Sequence, residues 1–186
     1  MGRQVSRDDY FRAALEILAA RGSGALKVGY LCRSLGVTTG SFYHHFESLY
    51  DFVDQLLADW EHDQTETYAA LIAAAEPADL AFEVLKEAAV RLPHRAEAAI
   101  RTWSHLEPQV ARTQARVDEK RRAALRGVLD RMISDPERAE RVTALGITLL
   151  VGYQQGGDPG SHEEISMLLE EYQRIIETTR AALDAR

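Results

Sequence analysis

Cysteine occurs once in these 186 residues, at Cys32. No internal disulfide can form, and the expected compartment is a reducing cytoplasm. Proline is missing from the first 76 residues and then occurs five times, at Pro77, Pro93, Pro108, Pro136 and Pro159. No apolar run approaches the roughly 20 residues that cross a bilayer, so no membrane association is expected. The opening MGRQVSRDDY carries no apolar segment of the secretory kind. Gly2 and Ser6 fit the spacing of a myristoylation signal, but Ser6-Arg7-Asp8-Asp9 reads better as a capping box opening a first helix. β-branched residues seldom alternate with polar ones, which argues against sheets, and neither an internal repeat nor a low-complexity tract is present.

Catalytic signatures are equally scarce. The histidines stand at 44, 45, 62, 94, 105 and 162, with no H-E-x-x-H pair among them. Asp59 and His62 are three apart, whereas a di-metal bundle needs two Glu-x-x-His motifs and more carboxylates. There is no glycine-rich phosphate loop and no nucleophile elbow. The expectation is therefore no enzyme, no catalytic residue, no metal and no cofactor. A cofactor-free helical enzyme is the competing reading, with no motif in its favour.

Hydrophobic residues make up 46% of the chain, enough for a substantial core. Alanine, leucine, glutamate and arginine dominate, a composition that favours an all-α fold. The net charge is −7, but residues 1–46 hold six Lys/Arg (Arg3, Arg7, Arg12, Arg21, Lys27, Arg33) against three acids, a balance of +3 that leaves −10 for the rest. A basic head on an acidic body suits a segregated nucleic-acid-binding module. Chance clustering is the plainer reading of so small an excess.

Periodicity places the helices. Phe11, Ala14, Leu15 and Leu18 follow i, i+3, i+4, i+7 spacing, predicting a helix over 7–20 that ends near Gly22. Val28, Leu31, Cys32 and Leu35 repeat the spacing on a shorter helix, which Gly36 interrupts in a left-handed conformation. A third helix runs from Thr38 or Thr39 to Phe46. Ser48-Leu49-Tyr50-Asp51 is a further capping box, opening a fourth helix to about Ala75. Prolines punctuate the remainder into segments near 78–92, 94–106, 108–133, 136–155 and 161–185. Asp135-Pro136 reads as an N-cap and first helical residue, and Gly156-Gly157-Asp158-Pro159-Gly160 as a loop. The total is about nine helices.

Two short helices joined by a glycine-containing turn form a helix-turn-helix, whose second helix enters the major groove of DNA. Thr38, Thr39, Gly40 and Ser41 suit that position. Hydroxyls bond bases or phosphates, a threonine methyl touches thymine, and glycine lets the backbone come close. Phe42 and Phe46, four apart, should face inward; Tyr43 and His44 should face outward. His44 and His45 point about 100° apart on a helix, and with no third ligand evident they are not expected to bind metal. His45 is given a surface or packing role.

The stretch KVGYLCRSLGVTTGSFYHHFESLYDFV resembles the DNA-binding segment of the tetracycline-repressor (TetR) family. Leu31-Cys32, Gly36-Val37, Gly40-Ser41, Phe42-Tyr43 and Phe46 stand in the register of that family's apolar-Ala pair, Gly-Val turn, small residue, aromatic-Tyr pair and closing Phe. The resemblance covers roughly residues 7–60. It implies a DNA-binding domain over 1–46 and a helical effector-binding and dimerisation domain over 47–186. It also implies a repressor that binds a pseudo-palindromic double-stranded operator as a homodimer. The DNA contacts expected are Lys27, Thr38, Thr39, Gly40, Ser41, Tyr43 and His44. Departures stand at Cys32, where alanine is usual and a structural thiol is expected; at Lys27, where a capping threonine is common; and at Thr39 and Leu49, where lysines often meet phosphate. Fewer lysines should flatten the salt dependence of binding. Arg3, Arg7, Lys27 and Arg33 are available to compensate.

In the body, residues 142–153 are apolar nearly all round, and Gly146 and Gly152 permit close helix approach. Ile165, Leu168, Leu169, Tyr172, Ile176, Thr179 and Leu183 form a stripe on the last helix. This pair of helices could build a two-fold interface, or bury within one chain. A small apolar or aromatic effector is expected against Trp60, Tyr68, Phe82, Trp103, His105 and Tyr153, with plain core as the competing reading. Trp103 shares a face with Ala96, Ala99, Ile100 and Leu106. A regulator with a protein partner, or with no effector, is the remaining alternative.

Overall fold

The computed structural model describes residues 5–156 and 159–184, without the side chains of 64–71 and 184. Gly2, Arg3, Gly157, Asp158 and the Tyr68 side chain therefore lie outside the described residues. The helices in chain order are α1 (Arg7–Arg21), α2 (Val28–Leu35), α3 (Thr39–His45), α4 (Leu49–Ala74), α5 (Ala78–Arg91), α6 (His94–Ser104), α7 (Pro108–Met132), α8 (Pro136–Gln155) and α9 (His162–Asp184). A 3-10 turn, Ser23–Ala25, sits between α1 and α2, and no strand occurs among the described residues. The all-α class and the order of the elements are those the periodicity predicts.

Local chemistry sets the boundaries. Ser6 Oγ accepts the Asp9 N–H at 3.3 Å, and the Asp9 carboxylate accepts the Ser6 N–H at 2.9 Å, so α1 opens on the expected capping box. Gly22 (φ 70°) and Gly36 (φ 67°) close α1 and α2 in backbone conformations that side chains disfavour. The N–H groups of Gly36 and Val37 return to the carbonyls of Arg33 and Cys32, at 3.2 and 2.9 Å. Ser48 Oγ accepts the Asp51 N–H, while Asp51 reaches back to the Glu47 N–H rather than to that of Ser48. Pro108 and Pro136 are the first residues of α7 and α8, where a missing N–H costs nothing. The Asp135 carboxylate accepts the Glu137 and Arg138 N–H groups, at 3.0 and 3.2 Å. Lys27 offers α2 no side-chain cap.

The helices pack into two compact units. The first comprises residues up to 62 together with 93–115, the second 63–92 together with 116–186. Within the first, α1 packs against α2 and also against α6. Its centre is aromatic: Tyr10, Phe42, Phe46 and Phe52 are buried, with Phe46 and Phe52 ring centroids 4.8 Å apart and Phe42 and Phe46 5.1 Å apart. The second unit buries Phe82 of α5, Val128 and Leu129 of α7, Val142 of α8 and Tyr172 and Ile176 of α9 around one core. A smaller cluster gathers Tyr153, Ile165 and Leu169.

The stripe on α9 is thus core of its own chain: Ile165, Leu169, Tyr172 and Ile176 are all buried without any partner copy. Gly146 likewise serves packing within the unit. A Cβ there would stand 2.6 Å from Tyr172 Oη and 2.9 Å from Leu125 Cδ2, whereas Gly152 has nothing within 4 Å. What α8 and α9 leave exposed is Leu145, Met167 and Ile175. α6 ends at Ser104, so Leu106 is off the helix and 75% exposed rather than on the Trp103 face.

Candidate nucleic-acid interface and internal cavity

α3 has seven residues, too few to be stable alone, so its neighbours must hold it. Phe42 and Phe46 do so from inside, buried against Tyr10 and Phe52 with centroid separations of 4.8–5.8 Å. Arg7 holds the far end. One guanidinium nitrogen donates to the His45 carbonyl at 3.0 Å, the other to Gln55 Oε1 of α4 at 3.0 Å, and the group lies 5.7 Å from the Phe46 ring centre. Gln55 in turn donates to Asp51 at 2.9 Å. Nothing local in the sequence marks this tie, which joins residues 38 positions apart.

With the phenylalanines inward, the outward row of α3 follows. Thr38, Thr39, Gly40 and His44 are exposed, and Tyr43 is 57% exposed. Thr38 stands at the N-cap without using its hydroxyl as a cap. A Cβ on Gly40 would meet only Thr38 Oγ1, at 3.7 Å, so nothing inside the protein requires glycine there. Ser41 differs from the rest of the row. It is half-buried and accepts the Tyr10 hydroxyl at 3.1 Å. Burial pushes the Tyr10 phenol up, partly offset by this bond. His45 is half-buried, its ring centroid 5.6 Å from that of Tyr10.

Charge on this part of the chain is of one sign. No acidic residue occurs between Glu16 and Glu47. Lys27 is exposed at the start of α2. The guanidinium groups of Arg21 and Arg33 lie 5.3 and 5.8 Å from the ring centre of Tyr30, a stacking that fixes two flexible cations in place. Cys32 is buried, and burial pushes its thiol up, so it stays protonated.

The second unit contains a cavity of about 400 Å³. Its walls include Phe82, Leu85 and Leu92 of α5, Ala124 of α7, Ile147 of α8 and Tyr172 of α9. Tyr172 is buried, which pushes its phenol up, and it donates to the Val142 carbonyl at 2.8 Å. Of the aromatic and polar residues singled out in the sequence, Phe82 lines this cavity. Trp60 is buried in the first unit, to which the half-buried Trp103 and exposed His105 also belong. Tyr153 is buried in the smaller cluster and donates to the Ser161 carbonyl. Leu85, Ala124, Ile147 and the other aliphatic walls went unnoticed because apolar residues on helix faces are indistinguishable from core in a sequence.

Residues 11–56 match the profile of the bacterial regulatory proteins of the tetR family. The chain has the fold and the N-terminal domain of a tetR-family regulator. A TetR-family transcriptional regulator from Streptomyces coelicolor superposes with a TM-score of 0.75 at 15% identity, over 94% of this chain and 95% of that one. A transcriptional regulator from Saccharomonospora viridis, in complex with choline, gives 0.71 at 17% identity over 89% and 94%. A ketosteroid transcriptional regulator of Mycobacterium tuberculosis gives 0.66 at 19% over 94% of each chain. At these identities the tetR-family likeness of the body is one of fold. Among curated proteins no sequence matches the chain. No helix among the described residues is long and apolar enough to cross a membrane.

Proposed function

We propose that the protein is a ligand-responsive transcriptional repressor that binds a pseudo-palindromic operator as a homodimer. Residues 1–46 bind DNA, and residues 47–186 hold a small-molecule effector and dimerise. The observation that carries this reading is the outward row of α3. Hydroxyls, a bare glycine, a tyrosine and a histidine face solvent on a helix too short to stand alone, yet wedged by two phenylalanines and clamped by Arg7. In a dimer, two such helices would meet successive major grooves about 34–36 Å apart. Lys27, Thr38, Thr39, Gly40, Tyr43 and His44 make the contacts, with Ser41 contributing through its bond to Tyr10.

The cavity supports an effector, as does a structural neighbour that holds choline. α4 and α7 each belong partly to the head unit and partly to the unit with the cavity. A ligand that favours one arrangement of these helices would lower operator affinity if DNA favours another.

Selecting bound fragments from genomic DNA identifies the operator and its symmetry in one experiment. Replacing Tyr43 and His44 together by alanine should then weaken operator binding by about tenfold to a hundredfold for each side chain truncated. Fluorescence anisotropy measures the change, and sedimentation checks that the dimer persists. Unchanged affinity in the double variant rejects the assignment of α3 as the reading helix.

A further inference from the structure

We infer that the cavity of the second unit takes an amphiphile with an aliphatic tail and a carboxylate head. This rests on the reading of the cavity as an effector site and adds the chemical class. The apolar requirement follows from Phe82, Leu85 and Leu92 on one side and Ile147 and Leu150 on another. The head group follows from the polar lining. Among the described lining residues the charged side chains are Lys86, Lys120 and Arg121, and no carboxylate accompanies them. Each sits in register with apolar lining on its own helix. Lys86 follows Phe82 by four residues, and Lys120 and Arg121 precede Ala123, Ala124 and Leu125 by three or four.

Lysine and arginine side chains donate hydrogen bonds and accept none. Tyr172, the other polar lining residue, has its proton committed to the Val142 carbonyl and its oxygen set against Gly146. A ligand's polar atoms must therefore be acceptors. The three cations need not be idle to serve. Lys86 Nζ bonds Glu83 and Gln173, at 2.9 and 2.6 Å, which accounts for two of its three N–H groups. Lys120 and Arg121 also interact within the protein, and a guanidinium has five N–H donors, more than one carboxylate consumes. A neutral head would leave donors poorly satisfied, and a cationic head would be repelled.

Calorimetric titration of the full-length protein with decanoate, decanol and decyltrimethylammonium, each below micelle formation, varies the head on one tail. Decanoate should bind at least about tenfold more tightly than decanol, with decyltrimethylammonium weakest. The double variant Lys120→Gln, Arg121→Gln should bring decanoate down to the level of decanol and leave decanol binding unchanged. Retained decanol binding also reports that the cavity is intact. Decanol binding as well as decanoate, or a preference that survives in the double variant, overturns the carboxylate head while leaving an apolar effector site standing. If none of the three binds, both the class and the effector reading fall.

Discussion

Asp51 carries a disproportionate share of the head's local order. Its carboxylate accepts from the Gln55 side chain and from the Glu47 N–H, both at 2.9 Å, and these bonds, the first the larger, hold it below the ordinary carboxylate range. Through Gln55 it also steadies the guanidinium of Arg7 that closes α3. Because the folded pKa is depressed, the stabilisation is fully present above the unfolded value of about 3.9. It is lost as pH falls through the lower folded value. Asp51→Asn should therefore melt below the wild type near neutral pH, with the gap narrowing as acid is added. Circular dichroism melts across that range test it, and a gap that widens in acid contradicts the assignment. At this scale the sequence was partly legible. The outward Tyr43 and His44 and the buried Phe42 and Phe46 follow from helix spacing alone, while Arg7 could equally have been a DNA cation. Its tie to the His45 carbonyl depends on a long-range approach that no local pattern encodes.

Among the elements, the turn between α2 and α3 is the most constrained. Gly36 has φ 67° and ψ 30°, a region where a Cβ crowds the following carbonyl. Gly36→Ala should cost about 1–2 kcal/mol, read as a lower denaturation midpoint with an unchanged denaturant slope. An alanine variant as stable as the wild type would show that the turn can be made another way. Helix boundaries were legible because prolines and caps are local chemistry: Pro108, Pro136 and the Asp135 cap fall where single-residue rules put them. The end of α6 was not legible, since His105 and Leu106 lack any stop signal before Pro108. The α9 stripe was legible as apolar but not as to what it meets. The answer lay in Gly146, whose missing side chain admits Tyr172.

For the whole molecule, the proposed homodimer must use what the chain leaves uncovered. On α8 and α9 that is Leu145, Met167 and Ile175, at 42%, 56% and 43% exposure. Introducing Leu145→Glu with Ile175→Glu would set like charges against each other across a two-fold axis. Analytical ultracentrifugation should find a monomer with unchanged helix content, and a persisting dimer would move the interface elsewhere. The cavity could not have been read from periodicity, which reports one helix at a time. Its walls come from α5, α7, α8 and α9 together, and the spacing of Phe82 is all that pointed toward it.

The reading head is also less portable than its motif suggests. Its packing unit joins two separate stretches of chain, and α6, encoded some forty residues after α3 ends, covers a face of α1. A fragment cut after the helix-turn-helix would strip that cover and bare apolar surface to water. Grafting the motif onto a foreign body would demand a substitute for α6 as well as a matching α4.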